Sequence, residues 1–141
     1  MNELKVKQIN TTALAYIGDG VYEVAIRKYL LKDNHANVDM LHRYTVAFVR
    51  AEAQALVIKG LMSQLTDEET SLVRRARNRK IMSKPRNVSP VIYKLATAFE
   101  ALVGYLYLTK QEDRLEWIID QSVMLINSSG VENVKREKNQ K

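Results

Sequence analysis

The stretch Leu14-Ala15-Tyr16-Ile17-Gly18-Asp19-Gly20-Val21-Tyr22-Glu23 decides how the rest of this chain is read. Its apolar residues recur with a helical period, so it predicts the first half of an amphipathic helix. Leu14, Ile17, Val21 and Val24, with Ala25, form the stripe expected on the core. Yet a glycine inside a helix costs about 0.8–1 kcal/mol relative to alanine, and here Gly18 and Gly20 flank Asp19. Either a neighbouring helix packs tightly against them and Asp19 is merely solvated, or a backbone or ligand approaches Asp19 closely. Asp19 and Glu23, one turn apart, share a neighbouring face. Their mutual repulsion is weak, and a bound cation would reverse it.

Outward from this helix the same period recurs while strand signals are few, which predicts an all-α fold. Thr11 or Thr12 can cap the first helix, which runs to about residue 31. A polar break over residues 32–37 follows, with His35 as an ordinary loop residue. Asn37 or Asp39 starts the next helix, with Val38, Leu41, Thr45, Phe48 and Val49 as its apolar stripe and His42 without an assigned role. A third helix follows or continues from it over about residues 50–62. Ala51, Ala53 and Ala55 there permit close helix contacts, and Gly60 marks its end. Thr66-Asp67-Glu68-Glu69 is a capping box, which assigns those acids to capping and not to catalysis. That helix reaches residue 78 or 79, and a basic loop follows to Pro90.

Ser89-Pro90 starts the most apolar helix, with serine as cap and proline in the first turn. It extends to about residue 108 and is apolar nearly all round, so it is expected at the centre of the bundle. Glu100 lies in its middle, where an ionised carboxylate is costly unless paired or hydrogen-bonded. It either meets an arginine, reaches solvent through a gap, or binds a cation. The last helix covers about residues 112–126, with Leu115, Ile118, Ile119, Ser122, Leu125 and Ile126 inward and Trp117 at its edge. Residues 1–127 are thus expected to form one domain, and residues 128–141 a polar, basic, disordered tail.

Composition narrows the chemistry. The 141 residues include no cysteine and only His35 and His42 as histidines, which excludes thiolate chemistry and makes a multi-histidine zinc site implausible. No uninterrupted apolar run approaches the roughly 20 residues of a membrane span, and the N-terminus lacks a signal-peptide core, so a cytoplasmic protein is expected. Net charge is +6, but the excess is local: Arg74, Arg75, Arg77, Arg79, Lys80, Lys84 and Arg86 follow one another with no acid among them. Guanidinium-rich patches suit phosphates, which they bind through a planar fork. Two carboxylates can hold Mg²⁺ with water and substrate phosphate completing the shell. Asp19, Glu100 and a basic loop are together the parts of a metal-dependent nuclease.

Two motifs sharpen that reading. Leu14 to Glu23 resembles the signature helix of the ribonuclease III family, in which a Leu/Ile-Gly-Asp-Ala-Val core carries a catalytic aspartate. Thr97-Ala98-Phe99-Glu100-Ala101-Leu102-Val103-Gly104 resembles that family's second motif, whose glutamate binds metal. The resemblance extends from about residue 11 to residue 126. Carboxylates usual four residues before the aspartate and three before the glutamate are Ala15 and Thr97 here, and there is no room for a double-stranded-RNA-binding domain. These departures resemble the short branch, Mini-ribonuclease III, as does the run from Arg74 to Lys80; Gly20 stands where alanine is usual.

The resemblance implies the fold of a ribonuclease III catalytic domain and Mg²⁺-dependent cleavage of double-stranded RNA, with Mn²⁺ able to stand in. It implies Asp19 and Glu100 as catalytic metal ligands and Glu23 as a partner acting through water. It implies a homodimer with signature helices packed across the two-fold axis, where Tyr16 belongs to the interface unless it is core. Products would carry 5′-phosphates, 3′-hydroxyls and short 3′ overhangs. The branch's substrate is the precursor of 23S ribosomal RNA, with room for an accessory ribosomal protein. Two other readings compete: a non-catalytic RNA-binding or ribosome-assembly module, motivated by Ala15 and Thr97, and more distantly a helical DNA-binding regulator.

Overall fold

The computed structural model describes residues 1–33, 37–80 and 87–129. Among the described residues seven helices follow in order: α1 (Glu3–Gln8), α2 (Thr11–Asp33), α3 (Val38–Val49), α4 (Ala51–Leu61), α5 (Asp67–Asn78), α6 (Pro90–Leu108) and α7 (Glu112–Asn127), with a 3-10 turn at Met62–Gln64. No strand occurs among the described residues. The fold is all-α, as the periodicity predicts.

Helix α6 is the hub. It is packed by α2, α4, α5 and α7, and Leu95, Ala98, Phe99, Leu102, Val103 and Leu106 are all buried. It is also long and apolar enough by composition to cross a membrane. Local chemistry sets its start: the Ser89 hydroxyl accepts from the Ile92 amide at 3.2 Å, and Pro90 opens the first turn. At its other end Lys110 adopts φ 59°, the left-handed conformation that closes helix termini, and the chain reverses into α7. The Thr66–Glu69 capping box forms in full, and the Asn37 side chain caps α3 by accepting from the Met40 amide at 3.0 Å.

Three expectations need correction. First, α1 was not expected. It buries only Val6 among its six residues, and is fastened from outside by Lys7, whose ammonium lies 3.1 Å from the Glu68 carboxylate. Second, the buried stripe of α2 is Leu14, Gly18, Tyr22, Ile26 and Leu30, with Ala15 beside it, whereas Val24 is 59% exposed. Closest approach to α6 occurs at Gly18, and this rotates the helix away from the face that hydrophobicity alone selects. Tyr22 enters the core because its hydroxyl finds Ser122 Oγ at 3.2 Å and its ring meets Phe99 edge-on at 4.9 Å. Third, Val38 is exposed and Tyr44 buried on α3. Between α3 and α4 the chain breaks at Arg50, which is extended, so the third helix is a separate element. On α7, Ile118, Ser122 and Ile126 are buried, and Leu115, Ile119, Leu125 and Trp117 are half-buried. His35, Lys84, Arg86 and residues 130–141 lie outside the described residues.

Candidate active site

The site follows from one helix crossing. A Cβ on Gly18 would lie 1.8 Å from the Glu100 carbonyl oxygen, and one on Gly104 would lie 2.0 Å from the Leu14 carbonyl oxygen. Helices α2 and α6 therefore touch backbone to backbone, each through its own glycine. Only residues without side chains allow this approach. The next residue after Gly18 is Asp19, and its carboxyl comes within hydrogen-bonding range of the Glu100 carboxyl. Two acids far apart in sequence meet because two glycines remove what would hold them apart. Gly20 behaves differently. An added Cβ there meets nothing within 4 Å, so its tolerance reflects open space and not packing.

Among the described residues no arginine joins the pair. Burial, reinforced by the hydrogen bond and negative charge of Asp19, pushes the Glu100 carboxyl up to about 9, against a smaller opposing effect from the Gln54 side chain. Gln54 is 2% exposed and also donates from Nε2 to the Val49 carbonyl at 3.1 Å. A carboxyl pair short of positive charge, one member half-buried and the other exposed to solvent, suits a hard divalent cation with oxygen ligands. Among the described residues no group of three or more His, Asp or Glu side chains gathers. Among the described residues two carboxylates would thus be the direct contribution, leaving other positions to water and phosphate. Glu23 sits one turn beyond Asp19, with its Oε2 held by Arg27 Nη2 at 3.2 Å.

Ala15 and Thr97 are each close in sequence to a site acid and supply no carboxylate. Ala15 is buried in the core, and the Thr97 hydroxyl donates to the Tyr93 carbonyl at 2.9 Å. Tyr16 is 84% exposed, so it is not core; with Gly20 and Val24 at one-turn intervals it lines an outward stripe of α2.

The basic run divides between two faces of α5. Arg74, Arg75 and Arg79, with Thr70, Ser71, Asn78 and Asp67, line an open groove of about 670 Å³. Arg77, also exposed, instead lines a cavity of about 440 Å³ shared with α4 and α6. Lys80 is exposed. A further cavity, about 920 Å³, lies along α2, the end of α6 and α7, and is lined by neither Asp19 nor Glu100. Asp67, Glu68 and Glu69 stand apart from the acid pair. Glu69 closes the capping box and binds Arg114 at 2.8 and 2.9 Å, and Glu68 accepts from the Tyr105 hydroxyl at 2.6 Å. Gln54 is the participant that sequence reasoning missed. Its signal was a lone amide flanked by Ala53 and Ala55 on a helix expected to pack closely.

A helical bundle with this acid pair at its central crossing is the architecture of a nuclease domain. Residues 12–111 match the ribonuclease III domain, and the chain belongs to that family. It is 41% identical over 125 residues to the Mini-ribonuclease 3 of Clostridium tetani, covering 88% of this chain and 83% of that one. The corresponding protein of Symbiobacterium thermophilum is 42% identical over 113 residues, covering 80% and 87%. That of Enterococcus faecalis is 38% identical over 125 residues, covering 87% and 95%. A crystal structure of a Fusobacterium nucleatum protein superposes with a TM-score of 0.77 at 33% identity, covering 88% of this chain and 98% of that one. Within the family the chain is a Mini-ribonuclease 3 type endoribonuclease.

Proposed function

We propose that this endoribonuclease cuts double-stranded RNA with a divalent cation, Mg²⁺ or Mn²⁺ in its place, held by Asp19 and Glu100. The observation that carries the reading is the meeting of these two acids at the Gly18–Gly104 crossing, with no arginine or lysine among the described residues to neutralise them. A bound cation of this kind supplies a polarised phosphoryl oxygen and a hydroxide available near neutral pH. Glu100 gives up its proton when it becomes a ligand, and Gln54 fixes its carboxyl through the amide hydrogen bond. Asp19, exposed to solvent, is the ligand that faces the incoming RNA. Glu23 takes part through water once released from Arg27. Arg74, Arg75, Arg77, Arg79 and Lys80, with Lys84 and Arg86, contact phosphates, and the duplex is read by its A-form shape.

The substrate is the precursor of 23S ribosomal RNA, cut in the cytoplasm, and an accessory ribosomal protein assists it. The working form is a homodimer in which Tyr16, Gly20 and Val24 of each protomer meet across the two-fold axis. The exposure of these residues supports this. Each of the two sites then cleaves one strand, leaving 5′-phosphates and 3′-hydroxyls. Residues 1–127 form the catalytic domain and residues 128–141 a basic tail.

Incubation of the purified protein with a 23S precursor stem, with and without Mg²⁺, followed by end mapping, tests the reading. Cleavage is expected only with the metal, on both strands, and is lost in Asp19→Asn while the helical spectrum is kept. Cleavage retained by Asp19→Asn would overturn the assignment of the metal site.

A further inference from the structure

Beyond the basic face of α5, a second group of cations gathers where three helices meet. The cavity of about 440 Å³ is walled by Lys59 and Met62 at the end of α4, Val73, Arg77 and Asn78 of α5, and Val91, Lys94 and Leu95 of α6. Its lining contains no carboxylate. Among the described residues, Lys59, Arg77 and Lys94 each lack an ion pair, whereas Lys7, Arg27, Arg50 and Arg114 have theirs. Lys59 and Arg77 are exposed and Lys94 is half-buried, so three like charges line one open recess with no acid beside them, a local field that favours an anion there.

The position of the recess gives the anion's identity. Lys94 precedes Glu100 by six residues on α6, about 9 Å along a helix rising 1.5 Å per residue. Lys59 follows Gln54 by five residues on α4, about 7.5 Å on the same scale, and Gln54 touches Glu100. Helices α6 and α4 thus carry Glu100 and Gln54 at one level and these cations about one and a half turns away along their axes. Along the helix axes that offset is on the scale of one or two phosphate spacings of a strand.

We propose that Lys59 and Lys94, with Arg77, bind the phosphodiester backbone of the RNA strand beside the cut. These are contacts that a reading of the basic run alone does not supply. The inference rests on the nuclease reading above and adds Lys59 and Lys94 to it as binding residues.

The test is binding of a fluorescently labelled perfect RNA duplex of about 20 base pairs, in EDTA to prevent cutting, across a series of KCl concentrations. Each lysine–phosphate contact contributes about one to the slope of log Kobs against log[salt]. The double variant Lys59→Gln/Lys94→Gln is expected to lose about two from that slope. In Mg²⁺ it is expected to raise KM severalfold with kcat within twofold. Lys28→Gln/Lys110→Gln makes the same charge change at the larger groove, and is expected to leave the slope unchanged. Glutamine keeps the helix propensity of lysine, and thermal unfolding checks the fold; if the double variant does not fold, Lys59→Gln alone must lose about one. A wild-type slope in the double variant, or an equal loss in the control pair, overturns the inference while the nuclease reading stands. Wild-type protein that neither binds nor cuts the duplex removes the nuclease reading itself.

Discussion

Replacing Gly18 by alanine and Gly20 by alanine should move stability in opposite directions, although the two glycines are almost adjacent on one helix. At Gly18 the new methyl would sit 1.8 Å from the Glu100 carbonyl oxygen and 2.8 Å from the Gly104 nitrogen. Both are backbone atoms of a buried helix and cannot swing aside. Reaching an ordinary contact of about 3.5 Å requires α2 and α6 to separate by roughly 1.5 Å. Overpacking of this kind costs about 1–3 kcal/mol when side chains can adjust, so a backbone obstacle places the cost at about 3 kcal/mol or above. Alanine's helix preference returns about 1 kcal/mol at most.

For a domain of this size 1 kcal/mol moves Tm by roughly 3–5 °C. Gly18→Ala should therefore melt about 6–10 °C or more below wild type. Gly20→Ala meets only open space within its own protomer and, at a protein concentration where the chain is monomeric, should melt about 3–4 °C above wild type on the same scale. Separating the acid pair by more than an ångström should also lower cleavage on the order of 100-fold in any Gly18→Ala that folds. Thermal unfolding followed by circular dichroism, with a duplex-cleavage assay on the same preparations, reads both effects. Gly18→Ala melting at or above wild type would refute the backbone contact that the site depends on.

Three further outcomes follow from the same geometry. The Glu100 carboxyl is raised in the folded protein from 4.5 to about 9, so the folded state holds a proton that the unfolded state has lost between those values. Metal-free stability should then fall as pH rises through that window, by up to about 1.4 kcal/mol per pH unit. Urea titrations in EDTA should show the slope flattened in Glu100→Gln; an unchanged slope would locate the proton elsewhere. Gln54→Ala removes a donor from both Glu100 and the Val49 carbonyl. It should cost about 1–3 kcal/mol and shift the Mg²⁺ dependence of cleavage, whereas unchanged metal dependence would confine Gln54 to packing. Glu69, 3% exposed, both caps α5 and binds Arg114, so Glu69→Ala should cost about 3 kcal/mol in chemical denaturation. Exposed Asp67→Ala should stay within about 0.5 kcal/mol, and equal losses would argue against the pair.

What could be read from the sequence was what local chemistry decides. The Thr66–Glu69 box, Ser89–Pro90 and Asn37 start their helices as expected, because caps act within one turn and need no tertiary partner. The apolar run of α6 identified the central helix for a related reason: a segment apolar on every side must be enclosed. Features set by contact across the fold were not legible. Helix α1 has one buried residue and is anchored through side chains of α5 and α6, so its own pattern carries no signal. The face of α2 was misplaced because its contact point is a glycine, which adds nothing to a hydrophobic stripe yet controls the crossing.

The candidate site shows the same division. Asp19 and Glu100 could be named from their motifs, and the oddness of glycine beside an acid was visible. Only the fold reveals that Gly18 serves packing while Gly20 faces open space. The run from Arg74 to Lys80 reads as one patch in sequence, but helical rotation sends Arg77 toward Lys59 and Lys94 and the other arginines outward.

The central claim is that Asp19 and Glu100 share one divalent cation, and anomalous diffraction from crystals grown with Mn²⁺ tests it most directly. An anomalous peak bonded to carboxylate oxygens of both residues is the predicted result. A metal-loaded crystal with its peak elsewhere, and none between these two side chains, would contradict the account.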